Sequence, residues 1–190
     1  MYQRSRSLLS VENSLLLMID FQERLMPAIE NAETVVFRAR QLLESAKTFG
    51  IRIVVSEQYP QGLGSTVSEL RSFIPSDVPV LAKKSFSVCG AESLYNEIEK
   101  SPTSKIVLCG VETHICVQQS AFDLLAMGRE IVLVTDASGS RSSNNNEIAL
   151  RRMESAGISL STTESVMFEW CTTAESPHFK TVSRLAKELM

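Results

Sequence analysis

The chain has 190 residues, of which 19 are lysine or arginine and 22 are aspartate or glutamate, so its formal net charge is −3. Hydrophobic residues make up 44% of it, which is ordinary for a globular protein and excludes a chain that is disordered throughout. It has no block of basic residues and no apolar run near the ~20 residues of a membrane helix, so we expect neither nucleic acid nor a membrane as a partner.

One domain, residues 1–190, is predicted, because the length suits a single hydrophobic core and no linker divides it. The first residues lack the apolar segment of a secretory signal. The four cysteines form no C-x-x-C pair, and neither they nor the two histidines have the spacing of a zinc site. We therefore predict a cytoplasmic protein with free thiols, no metal and no other cofactor.

Short apolar runs alternate along the chain with segments of helical spacing. The predicted strands are 15–20, 51–55, 79–82, 105–109, 130–135 and 158–161. The predicted helices, several of which end at a glycine, are 34–49, 92–100, 113–127, 146–156, 164–171 and 177–189. Apolar strands separated by helices are typical of a parallel sheet covered on both faces. The pattern predicts an α/β fold, a three-layer α/β/α sandwich around a mostly parallel, six-stranded, Rossmann-like sheet.

The residues that follow each strand are candidates for function, because ligands bind outside the carboxyl ends of the strands in such sheets. Asp20 ends the first strand. It can be a turn or capping aspartate, which is common at this place, or a general base in apolar surroundings. If it is the base, replacing it by asparagine is expected to cost activity and little stability.

The third strand runs into two lysines, Lys83 and Lys84. A lysine pair at a strand end is ordinarily part of a solvated turn. A lysine that instead entered the site beside a thiol and a carboxylate would favour the thiolate.

Two cysteines lie at the end of the fourth strand. Cys109 belongs to the strand and is most simply a core residue, whereas Cys116 lies in the first turn of the next helix, where free N–H groups stabilise a thiolate or an oxyanion. His114 points about 200° away from Cys116 on a helix, so it is a poor candidate for its base. We therefore predict that Cys116 has a lowered pKa and is the cysteine that reacts fastest with an alkylating agent near neutral pH.

The order of these residues along the chain resembles that of the isochorismatase-like cysteine hydrolases, a superfamily that includes nicotinamidases and N-carbamoylsarcosine amidases. The most specific segment is Gly110-Val111-Glu112-Thr113-x-x-Cys116. The other segments that carry the resemblance are Leu16-Leu17-Met18-Ile19-Asp20-Phe21-Gln22, Ser56-Glu57-Gln58-Tyr59-Pro60, Lys83-x-x-Phe86-Ser87, Val134-Thr135-Asp136-Ala137, Ser140-Arg141 and Ser161-Thr162-Thr163-Glu164. Two of these, together with His178-Phe179-Lys180, look most like the small, single-domain isochorismatase domain-containing branch.

The resemblance implies a catalytic triad of Asp20, Lys83 and Cys116. Lys83 is chosen over Lys84 because the family places its lysine four residues before a serine or similar residue, here Ser87. The resemblance also implies a cis peptide bond between Val111 and Glu112, and an oxyanion hole formed by the backbone N–H groups of Glu112 and Cys116. Relatives are commonly dimers, tetramers or octamers, so a homo-oligomer is expected.

The sequence departs from two groups of relatives. Nicotinamidases that bind a metal have an Asp-x-His pair and a second histidine after the second strand, whereas residues 56–62 here contain no histidine. Isochorismatases proper lack the nucleophilic cysteine, so the presence of Cys116 argues against isochorismate as the substrate.

The sequence therefore predicts a hydrolase that cleaves a small amide or amide-like C–N bond through a thioester on Cys116. The alternatives are a binding or scaffold protein that retains the site without turnover, and a metal-independent nicotinamidase. A thiol pKa near ~7 or below would favour the enzyme over the scaffold.

Overall fold

Six strands form the centre of the protein. The computed structural model describes residues 3–103 and 105–189; the predicted domain, 1–190, also includes four residues that lie outside this description. The strands are β1 (Ser14–Ile19), β2 (Arg52–Gln58), β3 (Val80–Lys83), β4 (Lys105–Val111), β5 (Glu130–Gly139) and β6 (Ser159–Ser161). Each neighbouring pair is parallel, in the order β3-β2-β1-β4-β5-β6. The predicted parallel, six-stranded sheet is confirmed.

Helices connect the strands. They are α1 (Ala32–Phe49), α2 (Pro60–Leu63), α3 (Ser68–Arg71), α4 (Glu92–Glu99), α5 (Gln118–Ala126), α6 (Ser143–Ser155), α7 (Thr163–Cys171) and α8 (Phe179–Lys187). The sequence did not predict α2 and α3, because a four-residue helix is too short to show a periodic apolar face. The predicted helix 113–127 consists of a π-helical turn, Thr113–Val117, followed by α5.

The side chains of β1 alternate between two apolar layers, and all six residues of the strand are buried. Leu16 and Met18 pack in the layer under α1 and α7. Leu15, Leu17 and Ile19 pack in the opposite layer, with side chains from α4, α5 and α6. Because both faces of the sheet are covered, the strand is apolar at every position from Leu15 to Ile19, and the three-layer sandwich predicted from that pattern is confirmed.

The strand order reverses between β1 and β4, because the chain continues from β1 to one side of the sheet and from β4 to the other. A crevice outside the carboxyl ends of two such strands is the usual ligand site of this architecture. Gly110, near the end of β4, has φ +143°, and a Cβ atom there would lie 2.2 Å from the carbonyl oxygen of Ile19. Glycine at this position therefore lets β4 lie against the last residue of β1, directly before Asp20.

Among the described residues, none of the helices combines the length and the apolar character needed to cross a membrane.

Candidate active site

Asp20 is the first residue after β1 and is fully buried, with φ +57°. The Ser56 hydroxyl donates to its Oδ1 atom at 2.7 Å, and the Lys83 ammonium donates to its Oδ2 atom, also at 2.7 Å. Both carboxylate oxygens are thus bonded to side chains of β2 and β3 in the described structure. This arrangement differs from a cap, in which the carboxylate would accept from the N–H groups of a following helix.

Lys83 is the last residue of β3, and its side chain is completely buried. Besides Asp20, its Nζ atom donates to Oε1 of Gln58 at 2.6 Å and, more weakly, to the carbonyl oxygen of Ser85 at 3.4 Å. These three acceptors match the three donors of an ammonium group. Lys84, by contrast, is exposed. The lysine next to the carboxylate is therefore Lys83.

Cys116 is the fourth residue of the π-helical turn and is 5% exposed. Burial, reinforced by the charge of the Asp20 carboxylate, raises the pKa of this thiol to about 12, while Lys83 acts in the opposite direction. The thiol is therefore within range of both charged groups, and the structure brings the three predicted residues together at the carboxyl ends of β1, β3 and β4.

The prediction of a lowered pKa for Cys116 is wrong in direction. It assumed that the lysine would act mainly on the sulfur and that the cysteine would lie in the first turn of an α-helix. In the structure the ammonium is bonded to Asp20, so the thiol faces a nearly neutral ion pair, and the turn that carries Cys116 is π-helical. Burial then dominates, and the resting group is a thiol.

The other candidate residues lie away from the sulfur or in the core. Cys109 is fully buried within β4, where burial raises its pKa. Cys89 is half-buried, and burial raises its pKa as well. The His114 Nδ1 atom lies 3.0 Å from the Ser140 hydroxyl oxygen, so this ring faces the loop after β5, in agreement with its rejection as the base of Cys116.

The peptide bond between Val111 and Glu112 is cis. Glu112 is 7% exposed, and its carboxylate accepts a hydrogen bond from the backbone N–H of Arg141 at 3.0 Å. The Nε atom of Arg141 lies 3.3 Å from the same oxygen. The family resemblance implies a role for the backbone of Glu112 and none for its side chain.

Sequence reasoning also missed the roles of Ser56 and Gln58, which hold Asp20 and Lys83. The sequence does contain a signal, because Ser56 and Gln58 are two positions apart at the carboxyl end of β2, the strand between β1 and β3. Side chains two residues apart on a strand share a face. Two polar residues with that spacing at the end of an apolar strand indicate a common polar partner.

The residues at the end of β2 do not fit the metal site of the metal-dependent nicotinamidases. The Ser56 hydroxyl and the Gln58 amide oxygen, which could ligate a cation, are bonded to Asp20 and Lys83 instead. Across residues 3–103 and 105–189, no group of three histidine, cysteine, aspartate or glutamate side chains could hold a metal ion.

A surface groove of about 830 Å³ lies elsewhere, between α1 and α3. Apolar side chains, including Val36, Phe37 and Phe73, form much of its lining, and none of the three candidate residues contributes to it. Volume alone would place the site there. Its lining contains no cysteine, histidine or lysine, however, so the chemistry favours the carboxyl ends of the strands.

Comparisons with known proteins show what the chain is similar to. Residues 14–165 match the isochorismatase domain family. The chain is 39% identical to isochorismatase domain-containing protein 1 of Danio rerio over 179 residues, which is 94% of this chain but only 62% of that protein. It thus spans about three fifths of the length of this relative.

Solved structures show the same fold. The MAR1 ribonuclease of Caenorhabditis elegans superposes with a TM-score of 0.88 at 33% identity, with 93% of this chain and 91% of that chain covered. The ycaC gene product of Escherichia coli, described as an octameric hydrolase of unknown specificity, gives a TM-score of 0.89 at 22% identity, with 96% and 91% covered. At this identity the second likeness concerns the fold alone.

Proposed function

Because the chain belongs to the isochorismatase family of hydrolases, we propose that it cleaves a small amide or amide-like C–N bond with Cys116 as the nucleophile. The observation that carries this proposal is the buried Asp20–Lys83 ion pair beside the buried thiol. A carboxylate and an ammonium are costly to bury, and a fold that needs only stability is served as well by apolar residues. Their place at the reversal of the strand order supports a catalytic role.

In the proposed reaction, Asp20 takes the proton of the Cys116 thiol as the sulfur attacks the carbonyl carbon. Since burial keeps the resting group protonated, proton transfer accompanies the attack instead of preceding it. The backbone N–H groups of Glu112 and Cys116 receive the oxyanion. Lys83 stays bonded to Asp20 and keeps its carboxylate in position.

The tetrahedral intermediate collapses when Asp20 returns the proton to the leaving nitrogen. The C–N bond breaks, and an acyl group remains on Cys116 as a thioester. Asp20 then takes a proton from water, whose oxygen attacks the thioester. Cleavage of the C–S bond releases the carboxylic acid, and the sulfur recovers its proton, so amide and water yield acid and amine with no cofactor consumed.

The test is direct detection of the acyl-enzyme. Incubation with p-nitrophenyl acetate is expected to add one acetyl group, seen by intact-protein mass spectrometry and mapped to Cys116. A set of small primary amides, nicotinamide among them, is then screened for ammonia release. The Cys116→Ala variant is expected to lose both signals, and the matched Cys89→Ala variant to keep them. Acetylation that survives in Cys116→Ala would overturn the proposal.

One observation favours the alternative of a binding or scaffold protein. The pKa of Cys116 is raised, as in a structural thiol, whereas many cysteine enzymes hold a ready thiolate. The acetylation test separates the two functions, because a scaffold forms no acyl adduct. A metal-independent nicotinamidase would instead release ammonia from nicotinamide in the same screen.

The similarity to a ribonuclease raises a third function, which the net charge of −3 does not favour. A single-stranded RNA added to the screen would be cleaved only if that function applies. The proposed substrate is a small molecule.

We also propose that the chain is a homo-oligomer in the cytoplasm. The oligomers that are common among the relatives named by the sequence resemblance support the first part, and four free thiols, Cys116 among them, suit a reducing compartment. Light scattering after size exclusion measures the first, and fractionation of cells the second.

A further inference from the structure

Glu112 carries a buried carboxylate that the proposed mechanism leaves without a role. The residue follows β4 directly and precedes the π-helical turn that holds Cys116. Its carboxylate is bonded to the backbone N–H of Arg141 and paired with the guanidinium of the same residue. Burying a carboxylate is costly, so these partners must compensate for the water it loses. The cost of burying a carboxylate next to the turn that holds Cys116 suggests that the Glu112 side chain has a function.

The contact belongs to a series between the end of β4 and the end of β5. The N–H of Gly110 donates to the Ser138 hydroxyl at 3.3 Å, and the His114 ring contacts the Ser140 hydroxyl at 3.0 Å. Residues 110, 112 and 114 are therefore each bonded to the segment 138–141. Of these three contacts, the one at residue 112 is made by a carboxylate side chain. The backbone N–H of the same residue serves the proposed oxyanion hole.

We propose that the Glu112 carboxylate is a positioning residue, which fixes its own backbone N–H for the oxyanion by bonding to Arg141. This inference rests on the proposed function. The side chain does not touch the reacting atoms; it prevents the turn from shifting away from the segment after β5. Oxyanion stabilisation depends on donors placed within about 2.7–3.1 Å of the charge, so a small displacement of the turn weakens it.

The bond to the backbone of Arg141 is the stiffer of the two links. The Arg141 side chain is 61% exposed, so its guanidinium can exchange with water, whereas its N–H is fixed by the chain. Glu112→Gln keeps an acceptor for that N–H and loses the ion pair, whereas Glu112→Ala loses both. Arg141→Ala keeps the backbone bond and removes only the guanidinium. The variants thus separate the two links.

The experiment compares two reactions of the same thiol. Acetylation by p-nitrophenyl acetate creates an oxyanion, whereas alkylation by iodoacetamide displaces iodide and creates none. Both rates are measured at pH 9 on the full chain. The matched control is Glu97→Gln, because Glu97 is also a mostly buried carboxylate, and its partners are Lys100 and Arg52, the first residue of β2, at the opposite end of the strands from the site.

We expect Glu112→Ala to lower kcat for the ester by about 10- to 100-fold at nearly constant KM, since part of an oxyanion-hole contribution of about 10²–10³ is lost. Glu112→Gln and Arg141→Ala should each lose a few-fold. Alkylation should stay within about twofold of the wild-type rate in all three, and Glu97→Gln should change neither reaction.

Three results would overturn the inference. Acetylation at the wild-type rate in Glu112→Ala would show that the carboxylate positions nothing. Equal losses of acetylation and alkylation would indicate general disruption of the turn. If Glu112→Ala fails to fold, acetylation at the wild-type rate in both Glu112→Gln and Arg141→Ala would overturn the inference instead. Failure of the proposed function itself looks different, because acetylation is then absent from the wild-type protein or persists in Cys116→Ala.

Discussion

Two lysines are buried at opposite ends of the strands of the sheet, and they have different partners. Lys83, at the carboxyl end of β3, is bonded to the Asp20 carboxylate and the Gln58 side chain. Lys105, at the amino end of β4, is bonded to the backbone carbonyls of Arg6 and Leu8, and it pairs at 3.5 Å with the exposed carboxylate of Glu130. Both are 3% exposed, so burial alone does not distinguish them.

The comparison shows what a buried ammonium is for. Lys105 holds the N-terminal segment against the sheet, a structural role that neutral carbonyl oxygens satisfy. Lys83 is paired with a carboxylate that is itself buried beside a thiol. Under the proposed function, the lysine at the carboxyl ends of the strands serves the chemistry, whereas the lysine at their amino ends serves stability.

The largest effect is expected from Asp20→Asn, which leaves Lys83 without a carboxylate partner. Lys105 is in a similar position, because its carboxylate partner, Glu130, is exposed and 3.5 Å away. Loss of a general base should reduce kcat/KM for p-nitrophenyl acetate by on the order of 10²–10⁴. The sequence predicted little loss of stability, but the ion pair reverses this expectation. An uncompensated buried ammonium costs about 3–5 kcal/mol, measurable as the free energy of unfolding in urea.

The double variant Asp20→Asn/Lys83→Met is the control, because it removes the stranded charge. It should recover much of the stability and none of the activity. Wild-type turnover in Asp20→Asn would contradict the base role altogether.

The next largest effect concerns the thiol. Since the pKa of Cys116 is raised to about 12 from an ordinary 9.0, thiolate forms only at higher pH. At pH 7–8 iodoacetamide should therefore react with Cys116 on the order of 10²–10³ more slowly than with free cysteine, and the rate should climb about tenfold per pH unit. Labelling at each cysteine is measured by peptide mass spectrometry. A rate that levels off near neutral pH would show that Lys83 acts on the sulfur and not mainly on Asp20.

Replacing each lysine by methionine tests the comparison itself. Lys83→Met removes the ammonium that donates to the Asp20 carboxylate and holds it in position, so kcat/KM should fall by about 10²-fold as the base is displaced. Lys105→Met removes a charged donor from two carbonyls and should cost about 1–3 kcal/mol of stability, with activity within about twofold of wild type. Urea unfolding and ester hydrolysis measure the two quantities. If Lys105→Met impaired turnover as much as Lys83→Met, the proposed difference between a structural Lys105 and a Lys83 that serves the reaction would be wrong.

Much of the fold followed from the sequence. Strands such as β1, which is apolar from Leu15 to Ile19, have continuous apolar runs because both faces of the sheet are covered, and that pattern is visible without coordinates. The rule that sites lie at carboxyl ends then placed Asp20, Lys83 and Cys116 at one edge, although their catalytic roles stay predictions. Helices α2 and α3 were missed because single turns have no period to detect.

The pKa of Cys116 could not be predicted, because it depends first on how deeply the thiol is buried and then on the charges of Asp20 and Lys83 around it. The sequence places the ammonium near both an acid and a thiol, and only the structure shows that it is bonded to Asp20 and Gln58. The contact between Glu112 and Arg141 was hidden for a similar reason: it joins residues 29 positions apart through a backbone N–H, which has no sequence signature.

The smallest expected effect is that of EDTA, which should leave kcat/KM unchanged. At the carboxyl ends of the strands, the positive charge beside Asp20 is the Lys83 ammonium. Ser56 and Gln58, the nearby oxygen donors, are already bonded to that pair. If Lys83, unlike Lys105, takes part in the chemistry, a chelator has no metal ion to remove from the reacting groups. The measurement is ester hydrolysis and ammonia release before and after dialysis against EDTA. Loss of turnover that Zn²⁺ or Fe²⁺ restores would contradict this account, because it would require a cation where the structure has an ammonium.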